Sequence, residues 1–129
     1  MEADASGPVT GQRILVVEDD RGIAQGLRAL LSSRGYEVDL ASAPETAIRR
    51  LSERHYSLVV ADFDLGEQDG LDVVRKLRSL HPGLPVLAVT AVDRAAAASA
   101  ADELGLEECF EKPVDPEELL RAVVRHLGN

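Results

Sequence analysis

Five short runs of apolar residues recur along the chain with the length and composition of β-strands. They lie at Ile14–Val17, Tyr36–Leu40, Leu58–Ala61, Val86–Val89 and around Cys109–Phe110. Three of these runs are apolar on consecutive residues, which is typical of strands covered on both faces of a sheet. The fifth run follows adjacent acids at Glu107 and Glu108. Charged residues are common on exposed strands, so this run is predicted to lie at a sheet edge.

The segments between these runs carry apolar residues at helical spacing, such as Ile23, Leu27, Leu30 and Leu31 in the first and Leu119, Leu120, Val123 and Leu127 in the last. Asp115 before Pro116 predicts a helix start, and Gly35 and Gly105 predict helix ends. Ser42 and Glu45 have the spacing of a capping box, with Pro44 between them. Strands that alternate with helices predict one doubly wound α/β domain with a parallel sheet.

Composition narrows the classes of function. The chain has 129 residues, a formal net charge of −9 and no cluster of Lys or Arg. Direct binding to nucleic acid or to an anionic membrane surface is therefore not expected. No apolar run approaches the ~20 residues of a membrane span.

The N-terminal residues and the cysteine content bear on targeting and on the redox compartment. Residues 1–11 are small, polar and acidic, without the features of a secretion signal, and are interpreted as a flexible lead before a domain at residues 12–129. The single cysteine, Cys109, excludes an internal disulfide framework and suits the reducing cytoplasm.

Polar side chains follow four of the five predicted strands. Glu18, Asp19 and Asp20 come after the first, Asp62 after the third, Thr90 after the fourth and Lys112 at the end of the fifth, before Pro113. The ends of parallel strands meet at one edge of the sheet, where such domains bind their ligands. Carboxylates, a hydroxyl and an ammonium group are therefore expected to converge there.

The chemistry of such a cluster is constrained by repulsion. Carboxylates ~4 Å apart repel by about 4 kcal/mol at an effective dielectric constant of 20, so they take up protons or hold a cation. Oxygen ligands without His or Cys favour Mg²⁺, with Mn²⁺ as a substitute. A magnesium ion beside Lys112 and Thr90 suits a phosphoryl group. Asp62, at the centre, fits a carboxylate nucleophile that becomes an aspartyl phosphate.

Four segments in order resemble the receiver domain of response regulators, the phosphoacceptor of two-component signalling. They are ILVVEDD, LVVADFDLGEQDGL, PVLAVTA and EKPVDPEELL, and the resemblance runs from Ile14 to about Leu127. It implies a flavodoxin-like fold, similar to chemotaxis regulators, with five parallel strands in the order 2-1-3-4-5 and helices on both faces.

The resemblance also implies a role for each strand-end residue. Asp62 would be the phosphoacceptor, and Glu18 and Asp19 would bind Mg²⁺ with it. The other implied roles are a metal contact from the backbone carbonyl of Asp64, phosphoryl binding by Thr90, Ala91 and Lys112, and a cis peptide bond before Pro113. The implied donor is a sensor histidine kinase, a phosphotransfer protein or a small acyl phosphate. The implied output is a downstream protein partner or a missing output domain, with no enzymatic activity beyond self-phosphorylation and self-dephosphorylation.

The sequence departs from the family pattern at three places. Gly66 stands where the loop after Asp64 usually has proline, and Val92 stands where some members have a polar group. Cys109 occupies the position of the switch aromatic residue, three residues before the lysine. Phe110 follows it and should face the other side of the sheet, because side chains alternate along a strand.

Two other functions compete with this interpretation. Asp62-Phe63-Asp64 after an apolar strand also resembles the motif of haloacid-dehalogenase-type phosphatases, with Asp62 as nucleophile and Asp64 as general acid. Against it, the acidic pair here precedes Asp62 in the chain. The second alternative is a receiver-like interaction module that no longer takes phosphate, and the presence of every required group argues against it.

Overall fold

Strands and helices alternate along the whole described part of the chain. The computed structural model describes residues 12–62, 70–91 and 94–127, so the predicted lead at residues 1–11 lies outside them. The elements are β1 Arg13–Val17, α1 Arg21–Ser32, β2 Glu37–Ala41, α2 Pro44–Glu53, β3 Leu58–Asp62, α3 Gly70–Leu80, β4 Val86–Thr90, α4 Arg94–Leu104, β5 Glu108–Glu111 and α5 Pro116–Leu127. Among these residues the strands form one parallel sheet in the order β2-β1-β3-β4-β5, which confirms the predicted fold class.

The side chains of the central strands divide the core between the two faces of the sheet. Leu15 and Val59 point to the face that packs on α2 and α3, where Ala47, Leu51, Val74 and Leu77 are buried. Ile14 and Leu58 point to the opposite face, against Leu27, Leu31, Leu119 and Val123 of α1 and α5. Every residue of β3 and β4 is buried, whereas β5 is half-exposed at the sheet edge, as predicted. Apolar burial on both faces therefore holds the central strands in the interior of the domain.

Two of the helix starts next to the strand ends are capped by aspartate side chains. Asp20 Oδ1 accepts a hydrogen bond from the backbone N–H of Ile23 at 3.0 Å, and Asp115 Oδ1 accepts one from Glu117 at 3.0 Å. Each cap supplies an acceptor to an N–H group that has no partner inside the helix. The caps hold α1 and α5 close to the ends of β1 and β5.

The capping box predicted from Ser42 and Glu45 is wrong. Helix α2 begins at Pro44, and its N-cap is Ala43, which has no side-chain oxygen to offer. Proline is favoured at the first helical position because it has no N–H group to leave unpaired. This preference moves the N-cap by one residue, from Ser42 to Ala43.

Glycine ends two of the helices, as predicted. Gly35 follows α1 with φ 93°, and Gly105 follows α4 with φ 68°. Residues with a Cβ atom rarely adopt such angles, so glycine is favoured at both turns. No helix in the described ranges is long and apolar enough to cross a membrane.

Two glycine-to-alanine substitutions should change stability in opposite directions. Gly105→Ala places a Cβ atom at positive φ and should destabilise the protein by about 1 kcal/mol. A Cβ atom at Gly26, in the middle of α1, meets nothing within 4 Å. Gly26→Ala should therefore stabilise by about 0.5–1 kcal/mol through helix propensity. Urea unfolding of both variants checks this, and equal effects of the same sign would contradict the assigned backbone geometry.

Candidate functional site

Strand register brings three buried polar residues to one edge of the sheet. Glu18 follows Val17, whose partner on β3 is Ala61, so Glu18 lies beside Asp62. Asp62 pairs with Val89 on β4, so Thr90 comes next to it. The exposed fractions are 8% for Glu18, 5% for Asp62 and 1% for Thr90, and these are the buried polar residues within the described ranges. The interior therefore concentrates its polar chemistry at this edge.

Three carboxylates meet there. Glu18, Asp19 and Asp62 each offer one oxygen atom, and these atoms all lie within 4.8 Å of one another. Glu18 and Asp62 are buried, whereas Asp19 is exposed at the mouth of the site. Such proximity requires a compensating charge, because carboxylates at this distance repel.

Lys112 supplies one compensating charge. Its Nζ atom lies 2.9 Å from Asp62 Oδ1 and 3.0 Å from Oδ2. The backbone N–H of Lys112 donates to the carbonyl oxygen of Thr90 at 2.7 Å, which fixes the lysine to the end of β4. The Lys112–Pro113 peptide bond is cis, the geometry that the resemblance implies. Lys112 and Asp62 thus form an ion pair inside the site.

The electrostatic cost of the cluster falls on Glu18. Burial, together with the nearby charge of Asp62, raises the pKa of this carboxyl to about 7. The backbone N–H of Asp20 donates to Glu18 Oε2 at 3.0 Å and acts in the opposite direction, as does the charge of Lys112. The site without a cation therefore holds a proton near neutral pH.

The donor set fits a hard divalent cation. Three carboxylate oxygens within 4.8 Å of one another are available, and one lysine cannot neutralise all three. Mg²⁺ is bound in proteins by a few carboxylates and keeps several of its waters, which the exposed side of Asp19 would admit. Glu18, Asp19 and Asp62 are the residues that would hold the ion.

The other predicted residues divide into those near this edge and those away from it. Ala91 is exposed and follows Thr90 directly. Asp64, Gly66 and Val92 lie outside the described residues. Cys109 packs with Ala101 of α4 against the core on the α2 side of the sheet, whereas Phe110 packs on the opposite side. The opposite placement of Cys109 and Phe110 agrees with the prediction from strand alternation.

One contact in the site escaped sequence reasoning. The backbone N–H of Asp20 orients the Glu18 carboxylate, while the Asp20 side chain caps α1. The only sequence signal for this turn is the run of three acids after β1. The same tight turn therefore serves the helix start and the acid site.

Comparison with known proteins places the chain in a family. The family model of the response regulator receiver domain matches residues 14–124. The chain is 40% identical over 116 residues to response regulator MprA of Mycobacterium sp. (strain KMS), covering 88% of this chain and 50% of that protein. The chain thus spans about half the length of the curated relatives it matches. It belongs to the response regulator receiver domain family.

Solved structures agree with this assignment. The non-phosphorylated HemR receiver domain of Leptospira biflexa is similar with a TM-score of 0.84 and 30% identity, covering 92% of this chain and 95% of that one. The response regulator TrrA of Thermotoga maritima in complex with Mg²⁺ and BeF has a TM-score of 0.78 and 27% identity, covering 89% and 98%. The chain is therefore a receiver domain of two-component signalling in fold and family, and no enzyme family is indicated.

The raised pKa of Glu18 predicts an unusual pH dependence. Because the folded state keeps the Glu18 proton to about pH 7 and the unfolded state releases it near 4.5, the metal-free protein should lose stability as pH rises through this window. The loss should be about 1–3 kcal/mol. Asp39 and Glu108 have lowered pKa values, so their stabilising contributions are lost only at more acidic pH.

Glu18→Gln should flatten this dependence. We expect it to be more stable than the unmodified protein at pH 8 and to differ less at pH 5. Urea unfolding in EDTA at pH 5, 6, 7 and 8 checks this, with the exposed Glu45→Gln as matched control. Parallel curves for Glu18→Gln and the unmodified protein would count against the buried proton.

Proposed function

We propose that Asp62 accepts a phosphoryl group from the phosphohistidine of a sensor histidine kinase or phosphotransfer protein, or from a small acyl phosphate. The observation that carries the proposal is a carboxylate 5% exposed at the end of β3, with Lys112 Nζ within 3.0 Å of both of its oxygens. A charge buried there without function would be costly. Two further carboxylates beside it supply the setting for a cation and a phosphate.

Each residue of the site has a separate role in the proposed phosphoryl transfer. An oxygen of Asp62 forms the new bond to phosphorus as the bond from phosphorus to the donor nitrogen or oxygen breaks. Lys112 turns from the Asp62 carboxylate to the phosphoryl oxygens, whose negative charge it stabilises. The hydroxyl of Thr90 and the backbone N–H of Ala91 donate hydrogen bonds to the same oxygens. Slow hydrolysis of the product is the only turnover that we propose.

The cation that we propose is Mg²⁺, which Mn²⁺ would replace. Glu18, Asp19 and Asp62 would hold it, together with the backbone carbonyl of Asp64. When bound, the ion neutralises the charge that accumulates on the phosphoryl oxygens. The Mg²⁺ and BeF named for the similar Thermotoga receiver support the choice.

A phosphatase of the haloacid-dehalogenase type is the less supported alternative. Its nucleophile stands near the start of the domain, whereas Asp62 here follows two strands and the Glu18–Asp19 pair. The family match also covers the chain from residue 14 to residue 124. Phosphate-ester turnover discriminates between the two, because a receiver forms only an acyl phosphate from a high-energy donor.

The output that we propose is a protein contact, with a downstream partner or an output domain, in the cytoplasm where Cys109 stays reduced. Cys109 has no ring to reorient, so phosphorylation should be transmitted by backbone movement after Thr90 and by α4. Ala101 of α4 and Cys109 of β5 are small residues that pack against the same core cluster. Hydrogen exchange with and without beryllofluoride tests this. Protection should change across α4, and a change centred on α2 would contradict it.

Asp62→Asn should abolish phosphorylation while leaving the fold intact. Asn lacks the nucleophilic carboxylate oxygen, so the protein should gain no phosphoryl mass after incubation with acetyl phosphate and Mg²⁺. Asp64→Asn is the matched control and should still be labelled, because its proposed ligand is a backbone carbonyl. Intact mass spectrometry reads both variants. Labelling that persists in Asp62→Asn would overturn the assignment.

Mg²⁺ should stabilise the folded protein because it relieves the repulsion among the carboxylates. A ligand that binds only the native state adds RT ln(1 + [L]/Kd), or about 2.7 kcal/mol at a hundred times Kd. Asp19→Ala should lose most of this dependence while retaining the fold, because Asp19 is exposed. Thermal unfolding with Mg²⁺ and with EDTA measures the difference. A melting temperature of the unmodified protein that does not respond to Mg²⁺ would contradict the metal site.

A further inference from the structure

An apolar groove opens directly beside the acid site. It has a volume of about 680 Å³ and lies between α1 and the segment that connects β5 to α5. Glu18 and Lys112 line one end of it, so it is continuous with the site that holds Asp62. Away from that end its lining is mostly apolar, with Ile23, Leu27, Leu30 and Val114 among the side chains.

Helix α1 presents an unusual face to this groove. Ile23, Gly26, Leu27 and Leu30 follow the spacing of a single helix face, and all four line the groove. Ile23 is 50% exposed although it is a large apolar side chain. Gly26 leaves open space, since a Cβ atom there would meet nothing within 4 Å. A larger side chain at position 26 would therefore project into open space along the groove.

The position of the groove selects the chemistry of its ligand. A phosphoryl group that reaches Asp62 must lie against Lys112, and Lys112 itself lines the groove. A substituent of that phosphoryl group then meets apolar surface rather than the charged surface that a chain of net charge −9 presents elsewhere. The volume is also within the range of small-ligand sites, ~300–1,000 Å³.

We propose that this groove holds the hydrocarbon chain of the phosphodonor, so that acyl phosphates with an apolar acyl group are preferred over acetyl phosphate. The proposal rests on the phosphoacceptor role of Asp62. In the step, an Asp62 oxygen forms a bond to phosphorus, and the bond between phosphorus and the acyl oxygen breaks. The acyl group leaves as a carboxylate with the bonding electrons. Nucleophile and leaving group are both carboxylates, so no proton has to move.

The length of the acyl chain determines how strongly one donor should be preferred over the other. Each buried methylene contributes about 0.8 kcal/mol, or roughly fourfold. Butyryl phosphate has two more methylenes than acetyl phosphate. Because the groove is open to water on one side, we expect about a tenfold higher second-order rate of phosphorylation with butyryl phosphate.

Single-donor kinetics on the full chain with Mg²⁺ test the proposal. Phosphorylation is followed by intact mass with acetyl phosphate and with butyryl phosphate as separate donors. Gly26→Gln fills the groove and should bring the butyryl rate down to the acetyl rate while leaving the acetyl rate unchanged. Ala29→Gln is the matched control, because Ala29 is exposed on the same helix and does not line the groove. Ile23→Asn provides a second variant and should also remove the preference.

The possible outcomes distinguish failure of this inference from failure of the proposed phosphoacceptor function. A butyryl preference that is lost in Gly26→Gln and Ile23→Asn but kept in Ala29→Gln supports the inference. Equal rates for the two donors in the unmodified protein overturn the inference and leave the phosphoacceptor role intact. A preference that survives in both groove variants also overturns it. Failure of both donors to label the unmodified protein would count against the phosphoacceptor role itself.

Discussion

The ion pair between Asp62 and Lys112 is the constraint on which the rest of the site depends. A carboxylate at the end of a fully buried central strand needs a cationic partner, because burial penalises its charged form. The lysine must come from another strand, and the strand order places β5 two positions from β3, with β4 and Thr90 between them. The Lys112 backbone bond to Thr90 completes the connection. A different strand order would leave Asp62 without this partner.

The buried acids of the site lower the stability of the folded protein. Glu18 and Asp62 are buried beside each other, and the pKa of Glu18 rises to about 7 as a result. Elsewhere the buried residues of the described ranges are apolar apart from the hydroxyl groups of Tyr36 and Tyr56, so the buried acids are confined to this edge. A core built without the acids would be more stable, since paired buried charges seldom match apolar packing. A bound cation would offset the repulsion among these acids and so recover part of the lost stability.

Much of this arrangement could be predicted from the sequence because two simple patterns carried it. Consecutive apolar residues identified β1, β3 and β4, and the alternation with helices fixed the parallel sheet whose edge gathers Glu18, Asp62, Thr90 and Lys112. Features that depend on several elements at once could not be predicted in this way. The groove beside Gly26, for example, needs both α1 and the segment after β5 to form its walls. The start of α2 was misplaced because a short capping pattern at Ser42 competed with Pro44.

The central claim is that the phosphoryl group sits on the carboxylate of Asp62, and chemical trapping tests it most directly. Borohydride reduces an aspartyl phosphate to homoserine, whereas phosphoesters and free carboxylates are not reduced. After the protein is phosphorylated with acetyl phosphate and Mg²⁺, reduced and digested, peptide mapping should find homoserine at position 62 alone. Homoserine at position 19 or 64, or at no position in a protein that carries the phosphoryl mass, would contradict the account.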